Sequence, residues 1–293
     1  SSDQPTTGSN NNNDDDDDDD EKYSPSSLSF PKKKKQRKTR QSKDRDGGND
    51  GIVVSSGKND SKGNDGGHVP WFKNMFTKDD EQYFQYMTTE WGFEKRGDQA
   101  LFEKLSLEGA QSGLSWLTIL RKREAYRRTF HDFDIDTVAS MTDDDVERIV
   151  SQDGGDDPSQ IVVRHRGKIQ AVINNAKCIQ TMRKQYEADT SSSQTEYPEH
   201  GVFDQFMWSF VNDQPIVNSK WDGKDLIDSP GKSEESEAMS KALKKKGFKF
   251  VGPTTCYSLQ QSFGMVIDHP VSSPEWKAAV ERLKKRKGGY QMR

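Results

Sequence analysis

Apolar residues recur at a helical period only from about residue 68 onward, and the stretch before it is almost wholly polar. The strongest pattern is Leu101 to Phe130, LFEKLSLEGAQSGLSWLTILRKREAYRRTF. Leu101, Leu105 and Glu108 fall at i, i+4 and i+7, which is one face of a helix. A second helical wall follows, made of Trp116, Leu117, Ile119 and Leu120. A polar loop from Gly109 to Ser115, carrying Gly109 and Gly113, joins the two. An acid on an apolar face needs a partner, because an unpaired buried charge is costly or shifts its pKa. Two readings stay open. Glu108 caps a neighbour in a helix-loop-helix corner, since structural acids are common. Alternatively, the inward acid, the nearby indole and the glycine-bearing loop form a pocket for a flat, electron-poor ligand.

The same periodicity places the other elements. Asp79 to Glu90 is predicted helical, with Tyr83, Phe84, Tyr86 and Met87; Glu90-Trp91-Gly92 stops it and Gly97-Asp98 caps the next helix. Asp136 to Val150 reads as helix through Val138, Met141, Val146, Ile149 and Val150. It restarts at Thr142, with Asp143 to Asp145 at the positive helix end. A turn from Asp153 to Gln160 leads to Ile161–Ile179, where Ile169, Val172, Ile173 and Ala176 share a face. Helix, glycine-bearing turn, helix is the plan of a helix-hairpin-helix. Its backbone N–H groups can hold a phosphate, and Arg164 and Lys168 lie at i, i+4 beside it. Alone the signal is weak, because Gly-rich turns join helices widely, and Asp156 and Asp157 would repel a phosphate they faced. Residues 187–200 and 212–236 read as loops, Phe203 to Val211 as a short buried helix and Ser240 to Gly247 as a basic helix closed by its glycine. Phe248 to His269 runs from an apolar segment into a helix with Tyr257, Leu259, Phe263 and Met265. The final helix puts Trp276, Ala279, Val280 and Leu283 on one face and basic residues on the other. That basic face is either solvated or a DNA-backbone contact. No internal repeat and no period-2 strand stands out, so the expected class is all-α.

Composition divides the chain. Residues 1–67 are rich in Ser, Asn, Asp, Gly and Lys, and Tyr23 and Phe30 are their only aromatics. Such a segment cannot bury enough apolar surface to offset the entropy of ordering, so a disordered tail is expected. Within it, Asp14 to Asp20 is a block of seven acids, Pro31 to Arg40 holds seven basic residues in ten, and residues 41–67 read as a flexible linker. The basic run reads as a nuclear-localisation or nucleic-acid patch, or as a solvated tail. The tail carries 12 Lys and Arg against 14 Asp and Glu; totals of 44 and 48 leave 32 and 34 in the remainder. The folded part is therefore not basic as a whole, and a nucleic-acid footprint must be a local patch. Two cysteines, Cys178 and Cys256, are too few for a disulfide framework, a zinc ribbon or a four-thiolate iron–sulfur cluster. No apolar run reaches 18 residues, so no membrane span is expected, and no signal-peptide segment is seen.

Several long segments resemble one family. They are Glu90 to Gly92, Leu101 to Asp134, Arg164 to Ala176, Met207 to Pro215 and Ser240 to His269. In order and in detail they resemble DNA-3-methyladenine glycosylase I, a family of helix-hairpin-helix glycosylases, over nearly all of residues 71–269. The resemblance implies an all-α, two-lobed helical domain over 68–273, flanked by the tail of 1–67 and a basic C-terminal helix of 274–293. It implies an enzyme that flips 3-methyladenine out of alkylated duplex DNA and hydrolyses its glycosidic bond, leaving an abasic site. By the family's motif, Glu108 and Tyr86 hydrogen-bond the base and Trp116 stacks on it. Tyr83, Trp71 and Trp91 line the pocket, and the loop with Gln111, Gly113 and Leu114 enters the duplex; Arg164 and Lys168 lie by the hairpin.

The residue chemistry agrees. A base acted on must leave the stack and be read by hydrogen bonds and aromatic stacking. A methylated adenine is positively charged, which suits a carboxylate and an indole face. Most enzymes of the wider superfamily use an Asp near the hairpin; this family lacks it, so no general base is assigned. No Schiff-base Lys is placed, so strand cleavage is not expected. One departure is plain. The family's structural zinc is held by two Cys and two His, but here Met87 follows Tyr86, no Cys precedes Trp71 and Ser273 stands four residues after His269. One surviving ligand cannot hold zinc, so no metal and no cofactor is expected, and the tethering falls to Trp276 and the tail helix. The other expectations are a monomer, a nuclear location and an import receptor as a further partner. A damaged-DNA-binding protein without turnover is the alternative, and a helical scaffold the third.

Overall fold

The protein is described by a computed structural model covering residues 81–191, 196–222 and 230–293. The tail, its acidic and basic runs and Trp71 lie outside the described residues. Among the described residues, ten α-helices carry the fold: α1 (Glu81–Thr89), α2 (Asp98–Gln111), α3 (Trp116–Thr129), α4 (Ile135–Ala139), α5 (Asp143–Val150), α6 (Arg166–Thr190), α7 (Val202–Ser209), α8 (Glu234–Lys245), α9 (Pro253–Ser262) and α10 (Pro274–Lys284). The mostly helical class expected from the pattern is observed.

Helix α2 is the axis of the domain. Of its 14 residues, 11 are buried, Lys104 and Glu108 among them. It packs against α3, α6, α7 and α9. Its N-terminus is fixed by a charged knot. The Asp98 carboxylate accepts from the Asp204 N–H at 2.8 Å and from Arg183 Nε at 3.0 Å. Asp204 in turn accepts from the Gly97 N–H at 2.8 Å and from Arg96 Nη1 at 3.1 Å. These bonds tie α2 to α6 and α7. Gly201 makes the approach possible, because a Cβ there would lie 2.2 Å from Asp98 Oδ1 and its φ is +103°.

Capping chemistry accounts for the breaks in chain direction. Thr142 and Asp145 form a capping box that separates α5 from α4, the restart expected at Thr142. Ser115 caps α3, its Oγ accepting from the Thr118 N–H. Gly247, at φ +88°, follows α8.

Two features differ from the expected layout. Helix α6 runs on to Thr190, beyond the predicted Ile179, and α8 begins at Glu234 within a stretch read as loop. The second feature is a small parallel sheet. Strand β1 (Ile216–Val217) pairs with β2 (Val266–Ile267) on one side and β3 (Gln291–Met292) on the other. Two-residue strands leave no alternation to read.

The sheet anchors the C-terminal helix. Ala279, Val280 and Leu283 of α10 bury against Val217 and Ile267, and Trp276 Nε1 donates to the Asn218 carbonyl at 2.9 Å. Two of the tail's basic side chains turn inward. The Arg282 guanidinium lies 4.1 Å from the Phe93 ring centroid and donates to the Gly92 carbonyl at 3.1 Å. Arg286 grips Glu94 with two hydrogen bonds of 2.8 and 3.0 Å. The tail helix thus clamps the loop that follows α1. Leu283→Ala should cost about 2–5 kcal/mol through the cavity it leaves. Urea unfolding measures this, and a loss below about 1 kcal/mol would show that α10 is not part of the cooperative core.

Candidate active site

Glu108 has its partner on its own helix. Lys104, four residues earlier, places Nζ 3.0 Å from Glu108 Oε1, and both side chains are buried. The same ammonium donates to the Tyr86 hydroxyl at 2.9 Å and sits 3.4 Å from the centroid of the Trp116 indole. Tyr86 and Trp116 face each other at 5.2 Å between centroids, with Tyr83 behind Tyr86 at 6.3 Å. Three elements of sequence logic converge here. The i, i+4 spacing brings Lys104 to Glu108. The α1 period turns Tyr83 and Tyr86 inward, and the Ser115 cap starts α3 so that Trp116 closes the cage. What results is a buried cation held by an indole face, a phenol and a carboxylate.

Burial decides the titration of Lys104 and Tyr86. It pulls the Lys104 ammonium down to about 8 against the opposing pull of Glu108. Burial also pushes the Tyr86 hydroxyl well above its ordinary value, with the Glu108 charge adding to the effect. Tyr86 therefore stays a neutral hydroxyl that can donate or accept. The indole N–H of Trp116 is buried with no hydrogen-bond partner among the described residues.

Beside the cage opens a cleft whose lining includes Tyr86, Lys104, Trp116, Glu90, Glu103 and Arg123. Lys104 faces this cleft and Glu108 lies behind it. Glu90 is gripped by Arg123 Nη1 at 2.8 and 2.9 Å and by Lys95 at 3.1 Å. Burial alone would raise the Glu90 carboxyl, but these two cations outweigh it and hold the acid below its ordinary value.

The structure brings together Glu108, Tyr86, Trp116 and Tyr83, and sets the remaining candidates apart. Trp91 is half-buried, does not line the cleft and packs edge-on against His269 at 4.8 Å. Gln111, the last residue of α2, is buried, whereas Gly113 in the loop to α3 is exposed at φ +73° with open space where a Cβ would stand. Leu114 is partly buried on the core. Lys168 donates to the Ala110 and Ser112 carbonyls at 3.0 and 2.5 Å, capping the end of α2 and the start of that loop. Arg164 is exposed and donates to the Gln152 carbonyl. Asp157 caps the 3₁₀ turn Pro158–Gln160, and its hydrogen bonds from Ser159 and Gln160 hold it down at about 2. Lys104 is the residue that sequence reasoning missed. Its signal was its place four residues before Glu108.

The family's zinc does not fit the residues present. Met87 is buried in the core, and Ser273 is spent capping α10 through the Trp276 N–H. His269 is buried, and burial together with Arg282 lowers it to about 3. Among the described residues no group of three or more His, Cys, Asp and Glu side chains could hold a metal.

Fold and site together define a helical domain that cages a buried cation between an indole face, a phenol and a carboxylate. The model of one family, methyladenine glycosylase, matches residues 76–276. DNA-3-methyladenine glycosylase 1 of Escherichia coli is 46% identical over 192 residues, which are 66% of this chain and 90% of that protein. The crystal structure of a 3-methyladenine DNA glycosylase I matches with a TM-score of 0.57 at 40% identity, covering 67% of this chain and 94% of that one. The Staphylococcus aureus 3-methyladenine DNA glycosylase I, solved to explain 3-methyladenine recognition, matches at 0.56 and 33% identity, covering 67% and 91%. This chain belongs to the methyladenine glycosylase family.

Lys168→Met should remove two bonds to helix-end carbonyls and lower stability by about 1–3 kcal/mol. Unchanged urea unfolding would instead leave Lys168 free to serve as a phosphate contact.

Proposed function

We propose that this chain is a DNA-3-methyladenine glycosylase that flips the alkylated base out of duplex DNA and hydrolyses its N-glycosidic bond. The observation that carries the reading is the cage, where a positive charge rests on the Trp116 face and against Glu108. A 3-methyladenine still attached to its sugar is a flat cation, so it can take that charge's place. Its edge donates to Glu108, its ring stacks on Trp116 and Tyr86 holds it from the side. Tyr83 stands behind Tyr86 and completes the surround on that side.

Methylation already weakens the bond to be broken. The C1′–N9 electrons leave with the base, which becomes neutral, and water adds at C1′ and gives up a proton. Little is required of the protein beyond holding the charged base and positioning the sugar. Glu108 is the residue assigned to that task, and the product is an abasic site with no strand cleavage.

The connection between α5 and α6 serves as the hairpin over the DNA backbone, with Arg164 and Lys168 beside it, and Gln111, Gly113 and Leu114 form the loop that enters the duplex. The protein acts as a monomer. The Pro31 to Arg40 run directs it to the nucleus through an import receptor; replacing those basic residues with Ala should leave a large fluorescent fusion in the cytoplasm, and undiminished nuclear accumulation would remove that assignment.

Incubation with methylated duplex DNA, followed by chromatography of the released bases, tests the activity: 3-methyladenine should appear, and binding without release would favour a damage-binding protein instead. Glu108→Gln keeps the shape but removes the charge. A charge-assisted hydrogen bond is worth about 1.5–3 kcal/mol, so excision should fall about ten- to a hundredfold. Trp116→Ala should lose ~1–3 kcal/mol of stacking. Affinity of Glu108→Gln for an abasic-site duplex should stay nearly intact, because phosphate contacts supply it. If the variant unfolds while its excision per folded molecule is unchanged, Glu108 is structural.

A further inference from the structure

Among the residues that surround the cage, Lys104 has no role in the reaction just described. Its position nevertheless controls the site. The ammonium covers the Trp116 face, takes up the Tyr86 hydroxyl and pairs with Glu108, so all three recognition groups are engaged by one side chain. A base cannot stack on that face while the ammonium stays there. Buried among these groups, the lysine is not a solvated surface charge that drifted inward, since only 8% of its surface is exposed.

We propose that Lys104 is a resident cation that occupies the base subsite and must withdraw for a flipped base to enter. The proposal rests on the glycosylase reading of the same cage. The adjoining cleft offers a place for the withdrawn side chain, because Glu90 and Glu103 line it alongside Lys104. Their present partners are Arg123 and Lys95 for Glu90, and Arg127 for Glu103. Removal of the ammonium from water is already unfavourable, which is why Lys104 sits at about 8 rather than at its ordinary value.

Exchange of one cation for another then follows the chemistry. The methylated base arrives positive and restores the charge that Glu108 loses when Lys104 leaves. Once the glycosidic electrons have passed to N9 the base is neutral and no longer balances Glu108. The ammonium regains its advantage, returns to the indole face and displaces the product. An undamaged adenine, neutral from the outset, holds the subsite against Lys104 no better than the product does.

The probe is 3,9-dimethyladeninium, a permanently cationic base with methyl in place of the sugar. Its affinity is measured by calorimetry on the full chain and on Lys104→Met, Lys104→Gln and Lys104→Arg. Met keeps the length without the charge, Gln keeps a donor for Glu108 if the Met variant fails to fold, and Arg keeps the cation. Loss of charge-assisted bonds of this kind corresponds to about a ten- to hundredfold change. The Met and Gln variants should therefore bind the probe more tightly by that factor, with Arg no tighter than the natural chain. A structural lysine would instead give weaker binding on removal and recovery with Arg. Equal or weaker binding in both Met and Gln variants overturns the proposal. Base release from methylated DNA by the natural chain is measured in parallel. No release of 3-methyladenine sinks the glycosylase reading itself, whereas release with unimproved probe binding sinks only the role of Lys104.

Discussion

The buried pair of Lys104 and Glu108 is the constraint on which the rest of the domain depends. Two charges withdrawn from water each carry a desolvation penalty of several kcal/mol, and removing one partner alone is strongly destabilising. Helix α2 can carry such a pair through the centre of the molecule only if every neighbouring group is aligned to meet it. Trp116 gives its ring face, Tyr86 its hydroxyl, and the two lie on helices that pack on either side of the cage. A core that served stability alone would do as well or better with apolar side chains of similar volume.

The surrounding elements can be understood as supports for this cage. The knot of Asp98, Asp204, Arg96 and Arg183 fixes one end of α2. Lys168 closes the other end by taking the carbonyls of Ala110 and Ser112. Between them the pair is held on a helix with neither end free to fray. The loop after α1 is pinned from outside by Arg282 and Arg286 of α10. The C-terminal segment is tied to the domain by a helix, a two-residue strand and a pair of arginines. Packing and charge-assisted hydrogen bonds do this, since the residues present do not fit the zinc that the resemblance implies.

Much of this was legible in the order of residues. The stripe of Leu101, Leu105 and Glu108 announced an inward acid, and the structure buries all three. Thr142 and Ser115 mark helix starts through side chains that satisfy backbone N–H groups, a local effect that needs no tertiary knowledge. What escaped were the features decided by tertiary contact. A lysine in a helix ordinarily reads as solvated, and only the convergence of α1 and α3 on α2 makes Lys104 a core residue. Gln111 looks like a loop-edge polar group, yet the end of α2 buries it. Strands of two residues carry no period. Arg282 and Arg286 belong to a basic run whose charge suggests solvent or phosphate, and their targets, Gly92 and Glu94, lie nearly two hundred residues away in sequence.

The central claim is that the cage of Trp116, Tyr86 and Glu108 is the seat of the alkylated base. A crystal structure of the full chain soaked with the cationic 3,9-dimethyladeninium tests it most directly. The account predicts the purine stacked on the Trp116 face, hydrogen-bonded to Glu108 and Tyr86, with the Lys104 ammonium displaced toward the cleft. A base found elsewhere on the protein, with Lys104 still lying over Trp116 and paired to Glu108, would contradict it.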